Sequence, residues 1–222
     1  MRKGLAIIAC FCATVLSAQS PRTITWDFSG YPEITRILGQ PQMIETPIGP
    51  AVEFDGAADG LFTDSIPISG MDELTLEVIM NQYGNANFEN RYLHMGELSG
   101  PRIMFETRVT PENLWYADFF VVMTQGSETA IIIDEKKTHP CDQWYNVTLV
   151  CTKDGIRGYV NGVLEGEAPL NFRDVINSGQ TSIGVRQNLR SWFKGAVYKI
   201  RVTEAVLTPD LFLRDYENLN GN

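Results

Sequence analysis

The chain lacks most of what metal, redox or phosphate chemistry requires. Its 222 residues include two histidines and four cysteines. Cys10 and Cys12 fall in an apolar N-terminal stretch, so Cys141 and Cys151 are the cysteines of the body. Zinc sites group Cys and His at short spacing, and here only His139 stands near a cysteine. No phosphate-cradling glycine loop and no serine nucleophile elbow occurs. Beyond the N-terminus no segment reaches the ~20 apolar residues of a membrane helix. No 20–50-residue repeat, low-complexity tract, heptad or long 3.6-residue period is visible, which argues against solenoids and coiled coils. Basic charge is also scarce: 18 Lys and Arg stand against 27 Asp and Glu, a net charge of −9. Nucleic acid and anionic membrane are poor main partners for such a chain, because neither is attracted to net negative charge.

What is present begins with a leader. Residues 1–18 read MRKGLAIIACFCATVLSA, a basic start, a short apolar run and then small residues. That is a secretory signal pattern, with cleavage expected near Ala18, to within about two residues. Its loss removes Arg2 and Lys3 and no acid, taking the net charge to −11. The expected localisation is secreted or periplasmic. In a rival reading Cys10 ends a lipoprotein box and is lipidated, but the apolar sequence continues past it. Residues 19–222 carry no linker and read as one domain. At ~3.3 Å per residue, a fully extended stretch from Cys141 to Cys151 spans ~33 Å. A disulfide needs Cα atoms within ~7 Å. Two thiols are therefore expected, with Cys151 buried beside Val147 and Leu149.

Apolar content is 44%, ordinary for a globular chain. Short apolar segments recur between Gly, Pro, Asn and Asp: TITWDF, AVEF, LTLEVIM, RYLHMG, RIMFETRV, WYADFFVVM, AIIIDE, WYNVTLVC, IRGYV, VLEGE, TSIGV and AVYKIRVT. About a dozen strands with turns between them predict a large all-β, two-sheet antiparallel sandwich. Trp144 to Glu167 reads as a three-strand meander, its second turn Asn161-Gly162 supplying the positive φ angles of a two-residue hairpin. One short C-terminal helix is expected over LTPDLFLRDY, with Thr208 as cap and Pro209 in the first position. Leu211 and Phe212 should pack on the sandwich edge, and 217–222 should fray.

The order of these pieces resembles the laminin-G-like, concanavalin A-like lectin/glucanase jelly-roll family. The resemblance is carried by AVEFDGAADGLF (51–62), ELTLEVIM (73–80), Trp144 with Tyr159-Val160-Asn161-Gly162, and Gly195, Arg201 and Leu207-Thr208-Pro209. It implies two curved sheets whose concave face can hold a sugar chain. Family members include lectins, carbohydrate-binding modules, glycoside hydrolases and protein-binding domains, so fold does not choose the activity. Two departures matter. Laminarinase-type members carry Glu-x-Asp-x-x-Glu, whereas Glu73-Leu74-Thr75-Leu76-Glu77 places Thr75 where the Asp should be. The last strand often carries an acid where this chain has Tyr198, which weakens a calcium site there.

Side-chain alternation nominates a polar set. Glu77 opposes Leu74, Leu76, Val78 and Met80. Glu106 and Arg108 oppose Ile103, Phe105, Thr107 and Val109, and Tyr92 and His94 oppose Leu93 and Met95. In one sheet, Glu77, Tyr92, His94, Glu106 and Arg108 would meet on the non-core face, able to bind sugar hydroxyls or a uronate carboxylate. His94 or Glu106 could serve as proton carrier. The competing reading is a solvated face of cross-strand ion pairs. Arg186, Asn188 and Trp192 lie in the edge-loop segment GVRQNLRSWFKG, where Trp192 offers a flat face to a pyranose unless Trp192 or Phe193 plugs the loop. Trp26 and Trp144 are expected in the core, and Trp115 and Tyr116 in a groove or the core. His139 could reach the sheet face or fill a loop. Asp55 and Asp59 crowd oxygens into a turn, which suits calcium or is simply a turn; no other cofactor is expected. Asn146-Val147-Thr148 is a sequon, but mid-strand. Three functions follow: a secreted carbohydrate-binding domain with no catalysis, which is favoured; a glycoside hydrolase-like enzyme; and an adhesion or protein-interaction domain.

Overall fold

The computed structural model describes residues 20–28, 33–124 and 126–221. The expected leader, its cleavage point and Cys10 lie outside the described residues. Eight strands form the first half: β1 Thr23–Trp26, β2 Arg36–Leu38, β3 Gln42–Thr46, β4 Gly49–Asp55, β5 Gly60–Thr63, β6 Leu74–Gln82, β7 Glu89–Gly96 and β8 Arg102–Val109. Eight more follow: β9 Leu114–Thr124, β10 Glu128–Ile133, β11 His139–Pro140, β12 Trp144–Thr152, β13 Gly155–Val160, β14 Val163–Ala168, β15 Gln180–Ile183 and β16 Lys194–Thr203. The helix α1, Asp215–Leu219, comes last.

The strands pair antiparallel into two sheets of eight, the jelly-roll sandwich that the sequence implies. The first sheet runs β14-β13-β12-β6-β16-β4-β3 with β1 added on β16, and the second runs β10-β9-β8-β7-β15-β5-β2 with β11 added on β9. All twelve anticipated segments are strands. β2, β3, β5 and β11 are not among those twelve: β2, β3 and β11 are short and largely polar or exposed, and β5, though buried, is only four residues long. The meander is β12, β13 and β14, and Asn161 (φ 49°) and Gly162 (φ 79°) make its left-handed turn.

Alternation builds the core. Leu74, Leu76, Val78 and Met80 of β6 face Ile103, Phe105, Val109, Trp115, Phe119 and Val121 of the second sheet within one continuous cluster. Trp26 belongs to that cluster, as do Trp115 and Cys151. Cys141 and Cys151 are free, buried thiols. Burial pushes both thiols up, Cys141 to about 11, so both are poor thiolates.

The outer face of the first sheet is closed by the C-terminal segment, which corrects two expectations. The expected single helix is split into a 3-10 turn at Pro209–Leu211 and α1, and Thr208 makes no side-chain cap to the turn's backbone. The tail is not frayed: Leu219 is buried with Ile79, Trp144 and Tyr198, and the Asn220 side chain bonds both the N–H and the C=O of Trp144. Trp144 thus packs under this strap rather than between the sheets. Phe212 is buried against Val150 and Tyr159, while Leu211 stays exposed. The Asn146 side chain is buried, its amide donating to Glu77 and to Leu213 O, so the sequon is inaccessible in the fold.

The edge-loop segment is anchored by Phe193, not Trp192. The Phe193 ring is fully buried, 5.4 Å from Tyr92 and 6.2 Å from Phe54. Truncation there leaves an aromatic-sized cavity. Phe193→Ala should lower unfolding free energy by about 3–5 kcal/mol, read as a fall in the urea midpoint at unchanged slope. A loss below about 1 kcal/mol would show that the loop does not depend on this plug.

Candidate functional site

Two places bring polar groups together: the outer face of the second sheet and a cleft at the rim of the sandwich. Cross-strand registers fix the first. One row runs Ile131, Phe120, Met104, His94, Ser182, Phe62, Arg36 across seven strands. The next holds Ile133, Asp118, Glu106 and Arg91, and a third Tyr116, Arg108 and Glu89. Paired residues of neighbouring strands share a face, so His94, Glu106 and Arg108 do meet, as anticipated.

Two members of the anticipated set are elsewhere. Glu77 lies in β6 of the first sheet, fully buried beneath the C-terminal strap. It takes Arg201 Nε at 2.5 Å, Leu213 N at 2.7 Å and Asn146 Nδ2 at 3.1 Å. Its role is to tie the strap down. Tyr92 points into the core against Phe105 and Phe193. The cause is a bulge between Arg91 and Leu93, which breaks the alternation and puts Arg91 on the outer face. His139 is also on the inner side: it pairs with Trp115, its ring lies 4.8 Å from that indole and 5.6 Å from Tyr145, and Nε2 is 3.5 Å from Glu165.

The outer-face charges are interlocked. Arg91 Nε donates to Glu106 Oε1 at 2.6 Å and Nη1 lies 3.1 Å from Glu89 Oε2. Arg108 holds Glu89 at 2.8 Å, Glu106 at 3.4 Å and Asp118 at 2.5 Å. Burial lifts Glu106 and Asp118 above the ordinary carboxylate range, against the pull of Arg91 and Arg108. The loop from Gly184 to Phe193 folds back over this face. Ser191 O accepts from Arg91 N at 2.9 Å, and Gln187 Nε2 donates to Gln180 O at 2.7 Å. Leu189 (φ 60°) and Ser191 (φ 57°) take left-handed backbone there. Arg186, Asn188 and Trp192 on this loop are half-buried. His94 is fully buried, and burial first, then the charges of Arg102, Arg186 and Arg91, push it down to about 4. Neither His94 nor Glu106 reaches solvent, so neither contacts a substrate in this arrangement.

The rim cleft has a volume of about 600 Å³ and is lined by Gln40, Gln42, Glu53, Asp55, Tyr83 and Lys194, among others. Tyr83 Oη donates to Glu53 Oε1 at 2.8 Å. Asp55 Oδ1 accepts the N–H groups of Ala57, Ala58 and Asp59. Asp59 Oδ1 takes Gln40 N at 2.7 Å and Oδ2 takes Asp55 N at 3.1 Å. Gly39 (φ 64°) permits this, since a Cβ there would sit 2.1 Å from Asp59 Oδ1. The two acids are thus turn-formers with three of four oxygens spent on backbone. That does not fit calcium, which takes six to eight oxygens, and among the described residues no group of three acidic, His or Cys side chains could hold a metal.

The family model Laminin_G_3, described as the concanavalin A-like lectin/glucanases superfamily, matches residues 55–211. The chain belongs to that superfamily. Comparison with curated proteins gives no match. Among solved structures, the chain is similar to domain 4 of AbnA, a GH43 extracellular arabinanase from Geobacillus stearothermophilus, in complex with arabinotriose. That likeness has TM-score 0.57 and 15% identity over 90% of this chain and 87% of that one. It is similar to a heptameric SAP-like pentraxin from Limulus polyphemus (TM-score 0.55, 16% identity, 72% and 77% covered). It is also similar to a botulinum neurotoxin type C structure reported with the toxin's dependence on two ganglioside molecules. There the TM-score is 0.56 with 8% identity over 86% of this chain and 44% of that one, so this chain spans under half of it. At these identities the likeness shows the fold alone.

Within this superfamily the hydrolytic members need an accessible nucleophile and acid. Here Glu106 and Asp118 are cross-strand neighbours clamped by Arg108. Sequence reasoning missed Asp118, although the alternation of β9 puts Tyr116, Asp118 and Phe120 opposite Trp115, Ala117 and Phe119. It missed Arg91 because a bulge leaves no simple sequence mark. It missed Gln40, Gln42, Glu53 and Tyr83 because they come from distant segments, and it took Lys194 only as part of the edge-loop segment GVRQNLRSWFKG.

His94 gives the face a pH signature. The unfolded chain takes up a proton on this histidine near pH 6.5, the folded chain only near 4. Between those values acid favours unfolding, and the loss levels off below about 4. The shift is worth roughly 3 kcal/mol. Glu106 and Asp118, raised by burial, act in the opposite sense. Urea unfolding at pH 7 and 4.5 should show His94→Gln losing less stability on acidification than the wild type. Equal losses would contradict a neutral, buried His94.

Proposed function

We propose that the protein is a secreted carbohydrate-binding domain that takes a neutral glycan segment in the rim cleft without cleaving it. The observation that carries this reading is the composition of that cleft. One aromatic wall, Tyr83, stands beside two amides, Gln40 and Gln42, the carboxylates of Glu53 and Asp55, and the Lys194 ammonium. Sugars present apolar ring faces and hydroxyls that both donate and accept, and this set answers each. Asp55 Oδ2 has no partner among the described residues and is available to a hydroxyl. The arabinotriose complex of a similar domain supports a sugar ligand for this fold. Secretion rests on the leader pattern of residues 1–18.

Titration calorimetry with a panel of neutral oligosaccharides tests the reading. Wild-type protein should bind at least one member without releasing new reducing ends. Tyr83→Ala should bind it about tenfold more weakly, the loss of a stacking face and a phenol. New reducing ends would make the protein a hydrolase. Absence of binding to every glycan would overturn the reading and favour a protein partner.

A further inference from the structure

A cavity separate from the rim cleft opens where the C-terminal strap ends. Its volume is about 530 Å³, and it is lined by Asn81, Asp142, Gln143, Trp144, Leu219 and Asn220, none of which lines the rim cleft. Strand register sets its floor. Asn81 of β6 lies between Trp144 of β12 and Ala196 of β16, and it is nine-tenths buried. Asp142 and Gln143, just before β12, are exposed and form the mouth. The tail fixes the remaining wall: Leu219 packs with Trp144, and the Asn220 side chain bonds both the N–H and the C=O of Trp144.

The lining is rich in acceptors and holds no Lys, Arg or His. Asn81 Oδ1 has no hydrogen-bond partner although its residue borders the cavity. Buried polar atoms are ordinarily satisfied. Asp142 Oδ1 accepts the Gly84 N–H at 3.1 Å. The Asp142 carboxylate forms no ion pair among the described residues. Gln143 Oε1 receives only a long contact, 3.4 Å, from Tyr145 Oη. Calcium does not answer this set, since it takes six to eight oxygens and the cavity has one carboxylate.

We infer that this cavity takes a primary ammonium group on a slender stem, the side chain of a lysine in a partner protein: the ammonium donates to Asn81 Oδ1 at the floor, within the field of the Asp142 carboxylate, and the methylenes lie along Trp144 and Leu219. An ammonium brings three donors and no acceptor, and charge-assisted hydrogen bonds are the stronger kind. A lysine stem covers apolar surface while its head stays in polar surroundings. An amino sugar carries its ammonium directly on a ring, too broad to follow from the mouth to the floor. A chain of net charge −9 also attracts cationic partners at long range. The inference does not depend on the glycan reading.

The test is a titration of 15N-labelled protein with Nα-acetyl-lysine amide, its Nε-acetylated form and glucosamine, at low and moderate salt. Wild type is compared with Asn81→Ala, Asp142→Asn and Asp154→Asn, each checked for unchanged circular dichroism. Asp142→Asn removes the charge, suits the left-handed backbone there (φ 64°) and keeps an acceptor for Gly84. Asp154→Asn removes the same charge in the turn at the far end of β12. The lysine probe should give saturable shifts at the Trp144 indole N–H and the Leu219 and Asn220 amides, weaker at higher salt. Asn81→Ala should weaken it about tenfold and Asp142→Asn about fivefold, while Asp154→Asn should leave it unchanged. Neither the acetylated probe nor glucosamine should saturate these signals. Absence of saturable shifts at the cavity, equal binding of the acetylated probe, or equal affinity in wild type and Asp142→Asn would overturn the inference. Equal binding of glucosamine would overturn the assignment to a lysine.

Discussion

The second sheet depends on the bulge at Tyr92. Without it, strict alternation would set Tyr92 beside His94 on the outer face and turn Arg91 toward the core. With it, the Tyr92 ring joins Phe105 and Phe193 inside, and Arg91 reaches Glu106 outside. The inner surface gains an aromatic contact and the outer surface gains the cation that makes a buried carboxylate tolerable. A charge such as Glu106 is costly to bury alone and acceptable only when paired and hydrogen-bonded.

The two outer faces then have different fates. On the first sheet, Glu77 and its partners bind down the C-terminal strap, and Ile79, Trp144 and Tyr198 are covered by Leu219. That face is closed by the chain itself. On the second sheet the cover is a loop, anchored inside by Phe193 and outside by Ser191 on Arg91. A loop roof over an arginine-rich face leaves half-buried polar side chains at the surface. Rims and loops carry recognition on rigid sandwiches because changing them does not disturb the core.

Much of the architecture was legible because it is local. Period-two patterning marked twelve strands, and Asn161-Gly162 marked the hairpin. The edge strands β2 and β3 escaped because their pairing, not their composition, makes them strands. The site was legible only in part. His94, Glu106 and Arg108 follow from alternation along single strands. Sheet membership does not, so Glu77, rightly read as facing away from the core, was grouped with the wrong sheet, and the bulge hid Arg91. Asp55 and Asp59 stood out in sequence as oxygen-rich. Their carboxylates turned out to shape the turn beside the cleft, a role that depends on Gly39, Gln40 and backbone N–H groups that no residue spacing reveals.

The central claim is that a sugar sits at the rim against Tyr83. The most direct measurement is a titration of the amide spectrum of 15N-labelled protein with an oligosaccharide that it binds. The account predicts that shifts concentrate at Gln40, Gln42, Glu53, Asp55 and Lys194, the lining of the cleft. Shifts confined to the far edge, at Val163 and Leu164 of β14, with the cleft amides still, would contradict it.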